Sequence, residues 1–150
     1  MTEYKIDVFS HALGVCEAFC EVVRAGVKRI ALSHPFTPEE LARDLHGEAF
    51  FAACEEIAAK YGCRAYFLEQ PLLTDLFPLS LNRGRQNIVF YRDSADIEEL
   101  LAIQNEKNAL QENGRYEGEA RRALAVRYGH LLSYSDEAIE RYLQSNTELE

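Results

Sequence analysis

A chain of 150 residues, of which 47% are hydrophobic, can form one folded domain with a buried core, which excludes a disordered chain. Its net charge of −9 disfavours a nucleic-acid partner, because binding to the phosphate backbone requires a basic surface. The first residues lack the basic and apolar regions of a signal peptide, and no apolar run matches the thickness of a bilayer, so we expect neither secretion nor membrane insertion.

The four cysteines, Cys16, Cys20, Cys54 and Cys63, form no C-x-x-C motif and no dense disulfide framework. Such sparse thiols are typical of a cytosolic protein, so we expect a cytoplasmic location. Cys16 and Cys20 lie four residues apart on a predicted helix and could hold a soft metal, but both fall in its apolar stripe, where cysteine acts as a small hydrophobe. We therefore predict that Cys16 and Cys54 are buried and unbridged.

The first part of the chain predicts a strand, a turn and a helix. The segment YKIDVF (residues 4–9) alternates apolar and charged residues, as a half-exposed strand does. From Ala12 the apolar residues recur at helical spacing, and Gly26 stands where the residue after a helix C-cap belongs.

A second strand and helix follow directly. The segment KRIALS (residues 28–33) predicts the strand. Thr37 begins a capping box that Glu40 closes, with Pro38 at the first helical position. An apolar stripe with helical spacing then continues, with one break, to Gly62.

The rest of the chain predicts two more strands and a helical C-terminal segment. The strands are CRAYFLE (residues 63–69) and NIVFYRD (residues 87–93). Three helices follow, one from about residue 95 to 112, one ending near Gly129, and a short one capped by Ser133 or Ser135.

Strands that alternate with helices are typical of an α/β fold with parallel strands. We therefore predict a single domain over residues 1–150, an open sheet of about four mainly parallel strands with flanking helices. Residues 1–93 supply the sheet and crossover helices, and residues 94–150 form a helical segment of the same domain. The strand order is left open.

Polar residues follow each predicted strand: Ser10-His11, Ser33-His34, Glu69-Gln70 and Tyr91-Arg92-Asp93. In an open parallel sheet, ligands bind outside the carboxyl ends of the strands. We therefore expect these residues to gather along one edge, where Glu69 and Arg92 would contact a substrate.

The two histidines are the candidate catalytic residues, because imidazole titrates near neutral pH. We assign His34 the role of acid–base group and His11 that of its partner or of a substrate ligand, with Ser10 and Ser33 as hydrogen-bond donors. The alternative is that the serines cap helices and the histidines are ordinary first-turn residues. That alternative is stronger for Ser10, because a helix follows it at once. It is weaker for His34, because the residue before a proline is held in an extended conformation and cannot begin a helix.

A metal site is a further hypothesis, because His11, His34 and Glu69 form a two-histidine, one-carboxylate set. Spacing alone does not define metal ligands, so we assign no metal. The sequence also identifies no cofactor, since it has no Walker A, G-x-G-x-x-G, G-x-S-x-G or H-E-x-x-H motif.

The 18-residue connection 69–86 is long for a compact domain and carries five leucines and Phe77. Exposed apolar side chains at this density indicate a lid or a subunit interface, so we predict a homodimer or larger oligomer with Leu76 and Phe77 near an interface or closing the ligand site. A short strand in this connection is the plainer alternative. Asp75 is a candidate to orient a histidine or contact a substrate, or else caps a turn.

The turn Arg83-Gly84-Arg85 precedes the last predicted strand, which places it at the edge opposite the histidines in a parallel sheet. Arginine pairs suit carboxylate or phosphate, but a solvated turn is the default interpretation.

The leading functional hypothesis is a cytosolic small-molecule-binding protein, with proton transfer on a small polar metabolite if it is an enzyme. A non-enzymatic oligomeric or regulatory module is the alternative, followed by the metal-binding hypothesis. Whether the protein is catalytic is left open.

Overall fold

The computed structural model describes residues 3–150, which form seven helices and three strands. In chain order these are α1 (Val8–Arg24), β1 (Ile30–Leu32), α2 (Pro38–Asp44), α3 (Glu48–Lys60), β2 (Arg64–Leu68), α4 (Leu79–Asn82), β3 (Asn87–Tyr91), α5 (Ser94–Glu112), α6 (Gly118–Leu131) and α7 (Asp136–Ser145). Helices account for 57% of the chain, so the sheet is the smaller part of the architecture.

The prediction of about four mainly parallel strands was wrong. Over residues 3–150 the sheet has three strands in the order β1-β3-β2, and β3 runs antiparallel to both neighbours. The connection 69–86 contains only the single-turn helix α4, and it returns the chain to the end of the sheet at which β2 finishes, so that β3 starts beside the last residue of β2. A parallel pairing would have required a crossover to the opposite edge.

The predicted strand at residues 4–9 was also wrong. The chain has no regular structure between residue 3 and α1, which begins at Val8 and is capped by Asp7. The backbone N–H of Ser10 donates to Asp7 Oδ2 at 2.9 Å, so Asp7 rather than Ser10 is the N-cap. Local alternation of apolar and charged residues was therefore outweighed by a strong cap and by the helical stripe that follows it.

The central strand β3 divides the core into two layers. Ile88 and Phe90 face the layer of α1 and α3, whereas Val89 between them faces the layer of α5, α6 and α7. All three side chains are fully buried. Successive side chains of a strand point to opposite faces of the sheet, and here both faces are covered. The helices thus enclose the sheet from both sides.

Several predicted helix ends are confirmed. Gly26 and Gly62 follow α1 and α3 with positive φ angles of 77° and 66°, a conformation that glycine adopts without steric cost. Ser135, rather than Ser133, caps α7 by accepting the N–H of Ala138 at 3.1 Å. Within residues 3–150, no helix combines the length and apolar character needed to cross a bilayer.

The predicted N-cap of α2 is confirmed as well, because Thr37 Oγ1 accepts the backbone N–H of Glu40 at 3.1 Å. Replacing Thr37 with alanine leaves this donor without its partner. We expect Thr37→Ala to lower the free energy of unfolding by about 1 kcal/mol, measured by urea denaturation. Thr37→Ser retains the hydroxyl and should be close to wild type, and equal losses for both variants would contradict the capping role.

The connection 69–86 packs on its own domain. Leu72 and Leu76 are buried in the same apolar cluster as α5, α6 and α7. Phe77 contacts the rings of Tyr128, Tyr134 and Tyr142 edge-on. The Leu76 side chain therefore has no exposed surface within this domain to offer a partner subunit or a ligand, and the homo-oligomer stays a prediction. The alternative of a short strand in this connection is wrong.

Candidate functional site

A cavity of about 150 Å³ lies between α1, α2 and the chain that follows β1. His11 and His34 both line it, one from the first turns of α1 and the other from the loop after β1. Glu40 and Asp44 of α2 supply two carboxylates. The remaining wall is mostly apolar and consists of Val8, Ala12, Val15, Cys16, Ser33, Pro35, Phe36, Leu45 and Phe50.

The position of His11 follows from the start of α1. The backbone N–H of His11 donates to Asp7 O at 2.9 Å, in the first helical turn. Val8, His11, Ala12 and Val15 have the spacing of one helix face, which is the face that lines the cavity. The hydrogen bond from Ser10 lowers the pKa of Asp7, so the cap is ionised at neutral pH.

The position of His34 follows from a bulge where β1 meets β3. Ser33 pairs with Ile88, and Phe36 pairs with Gln86, so His34 and Pro35 together lie opposite the single residue Asn87. Bulges of this kind re-aim side chains and tolerate proline, which has no N–H to donate. His34 thus lies outside the strand pairing, where it lines this cavity and a neighbouring one.

Ser33 holds the bulge in place. Its hydroxyl accepts the N–H of Ile88 at 2.9 Å and donates to the carbonyl of His34 at 3.1 Å, and its own carbonyl accepts from Asn87 Nδ2 at 3.1 Å. The side chain is buried, and its hydroxyl is engaged with backbone groups. Ser33 therefore lines the cavity and fixes the backbone of His34, which differs from the predicted role of substrate donor. Ser10 is exposed and does not line this cavity.

The other predicted site residues lie elsewhere. Glu69 lines a different cavity. Asp75 accepts two hydrogen bonds from the Arg121 guanidinium, both at 2.7 Å, so it orients an arginine and not a histidine. Arg92 lies at the opposite edge of the sheet, where it donates to the carbonyl of Arg24 at 3.0 Å, because β3 runs antiparallel.

Glu69 lines a different cavity from His11 and His34, so the structure does not bring the three proposed metal ligands together in one cavity. Within residues 3–150, no group of three or more histidine, cysteine, aspartate or glutamate side chains is arranged to hold a metal ion.

The carboxylates of the cavity were not predicted as site residues. Glu40 accepts from Arg85 Nη1 at 3.3 Å, whereas Asp44 accepts two hydrogen bonds from the adjacent Arg43, which lower its pKa. The capping-box position of Glu40 was visible in the sequence. Its contact with Arg85 was not, because that contact depends on the antiparallel direction of β3, which brings the Arg83-Gly84-Arg85 turn to the edge of the histidines.

Cys16 of the cavity wall belongs to a buried cluster that contains all four cysteines. The prediction that Cys16 and Cys54 are buried and unbridged is confirmed, and Cys20 and Cys63 are also buried and free. The Cys54 thiol donates to Cys16 Sγ over 3.9 Å, which lowers the pKa of Cys16 and raises that of Cys54. Burial raises the pKa of Cys20 to about 12.

Comparison of the chain with protein-family models, with curated proteins and with solved structures gave no match. The function is therefore inferred from the geometry.

Proposed function

We propose that the protein binds a small molecule with a compact apolar body and a neutral polar head in the cavity of His11 and His34. The observation that supports this proposal is that His11 and His34, from separate elements, both line a cavity whose remaining wall is mostly apolar. Small-molecule sites commonly combine an apolar wall with a few convergent polar groups.

The size and charge of the cavity define the class of ligand. A volume of about 150 Å³ holds a group as large as benzene. Among the described residues, the cavity wall carries the carboxylates of Glu40 and Asp44 but no arginine or lysine, so it offers no cation to an anionic head group. A hydroxyl or carbonyl head can instead hydrogen-bond to an imidazole, as donor or acceptor according to the tautomer.

If the protein is an enzyme, the same arrangement supports acid–base chemistry. We assign proton transfer to His34, because Ser33 and the bulge fix its backbone, and we assign His11 the role of partner or ligand. A neutral imidazole within hydrogen-bond reach of a substrate hydroxyl or of a carbon acid can accept its proton. A cytoplasmic location belongs to this proposal too, since four unpaired thiols fit a reducing compartment.

The experiment is a titration of the histidine ring signals by NMR with phenol, using benzoate as the anionic counterpart of similar size. We expect phenol to shift the signals of His11 and His34, and benzoate to bind more weakly. His34→Ala and His11→Ala should each weaken phenol binding by about 3- to 10-fold, the effect of one lost hydrogen bond.

His130→Ala is the matched control, because His130 lies on α6 and contacts Asp136 instead of the cavity. Its affinity for phenol should equal that of the wild type. Equal shifts of all four histidine signals, or no shift at saturating phenol, would refute the proposed site.

A further inference from the structure

A second cavity, of about 650 Å³, lies between the end of β2, the Arg83-Gly84-Arg85 turn and α5, and shares no residue with the histidine cavity. Three cationic side chains line it: Arg83, Arg85 and Lys107. Asn108 and Gln111 add uncharged hydrogen-bonding groups. These side chains are hydrogen-bond donors of the kind that bind carboxylate or phosphate oxygens. Neither the histidine cavity nor the acidic net charge of the chain predicts such an oxyanion site.

Lys107 is the most informative of these residues, because it is a cation that is only 6% exposed. A buried ammonium group is strongly destabilising unless it is paired. Its Nζ lies 2.7 Å from Glu150 Oε1, and Gln111 Nε2 donates to the same oxygen at 3.1 Å. Lys107 and Gln111 therefore already bind a carboxylate, and that carboxylate belongs to the chain itself.

The tail that carries Glu150 is held by other contacts. Asn146 Nδ2 donates to the carbonyls of Asp75 and Phe77 at 2.9 and 3.1 Å. Glu148 accepts from Ser80 Oγ at 2.8 Å. The Glu150 side chain, in contrast, is 28% exposed. Its carboxylate can therefore leave Lys107 while the rest of the tail stays in place.

The other side of the cavity has hydrogen-bonding capacity that the chain does not use. Within the described residues, Arg83 makes no ion pair, so its guanidinium donors are open to the oxyanion of a ligand. Arg85 is paired with Glu40 at 3.3 Å. Among the described residues, Glu69 is the one carboxylate besides Glu150 that lines this cavity. A single carboxylate occupies only a small part of 650 Å³.

We propose that this cavity binds a small molecule with two oxyanion groups, either carboxylates or phosphates. One group replaces the Glu150 carboxylate at Lys107 and Gln111, and the other reaches Arg83. Glu150 acts as an internal competitor that keeps the buried ammonium paired when no ligand is bound. The proposal is independent of the function proposed for the histidine cavity.

The test is isothermal titration of the full chain with succinate and with pyrophosphate, which each carry two oxyanion groups, at constant ionic strength set by sodium chloride. We expect weak binding to the wild type and about tenfold tighter binding to Glu150→Gln, which removes the competing charge. Arg83→Ala, combined with Glu150→Gln, should lose most of that gain for succinate. Succinate tighter than pyrophosphate assigns the site to dicarboxylates, and the reverse order assigns it to compounds with two phosphate groups.

Glu148→Gln is the matched control, because it changes a carboxylate of the same tail that does not touch Lys107. Its affinity for both anions should match the wild type. An equal gain in Glu148→Gln and Glu150→Gln would overturn the proposal in favour of a general charge effect. If neither anion binds to a Glu150→Gln variant that circular dichroism shows to be folded, the proposal is wrong and the Lys107–Glu150 contact is only a structural ion pair.

Discussion

Replacing Leu76 with aspartate is expected to unfold the protein rather than to change its assembly. Leu76 is fully buried in the cluster that joins the connection 69–86 to α6 and α7. Removal of a buried leucine side chain alone costs about 2–5 kcal/mol, and an unpaired buried carboxylate adds a desolvation cost. Because small domains are stable by only about 5–15 kcal/mol, Leu76→Asp should lack a cooperative thermal transition, measured by circular dichroism.

Leu81→Asp is the matched control, since Leu81 belongs to the same connection and is 46% exposed. It should retain a melting transition close to that of the wild type. A folded Leu76→Asp variant with a smaller mass in sedimentation would contradict the burial argument and restore the subunit-interface hypothesis. The predicted homo-oligomer remains a prediction, and sedimentation of the wild-type protein tests it.

Helix ends were predictable from the sequence because they depend on local chemistry. The hydroxyl of Thr37 and the left-handed backbone of Gly26 and Gly62 act within one turn of their own positions. The direction of β3 was not predictable in the same way. Hydrophobic periodicity reports which residues are buried but not which way a buried strand runs, and both parallel and antiparallel central strands have continuous apolar runs.

In the candidate site, too, the positions that depend on contacts between distant parts of the chain were not predictable from the sequence. His11 and His34 were predicted to meet at a parallel sheet edge, but they line one cavity because α1 packs beside the bulge after β1. Arg92 was misplaced because its position depends on the direction of β3. Lys107 and Glu150 come from distant parts of the chain, and nothing in the local sequence around either residue predicts their contact.

The second large effect is expected at Gly129, where alanine should destabilise a helix that it would ordinarily stabilise. Gly129 lies inside α6 with ordinary helical backbone, so intrinsic propensity favours alanine by about 1 kcal/mol. A Cβ atom at this position would, however, lie 2.5 Å from Ile139 Cγ1 and 2.7 Å from Ile139 Cδ1. Ile139 is buried, so it has little room to move, and we expect Gly129→Ala to lower the free energy of unfolding by about 1–3 kcal/mol in urea.

Gly14 supplies the matched control, because it lies inside α1 and a Cβ atom there would have no packing neighbour within 4 Å. Gly14→Ala should raise the free energy of unfolding by about 0.5–1 kcal/mol, the gain expected from propensity alone. The clash itself is measured by adding Ile139→Ala, which removes both close atoms. Because the cavity left by Ile139→Ala accepts the new methyl group, the double variant should be more stable than the sum of the two single losses predicts, by about 0.5–3 kcal/mol. Strict additivity would mean that α6 and α7 separate without strain, and that the close approach at Gly129 does not limit how these helices pack.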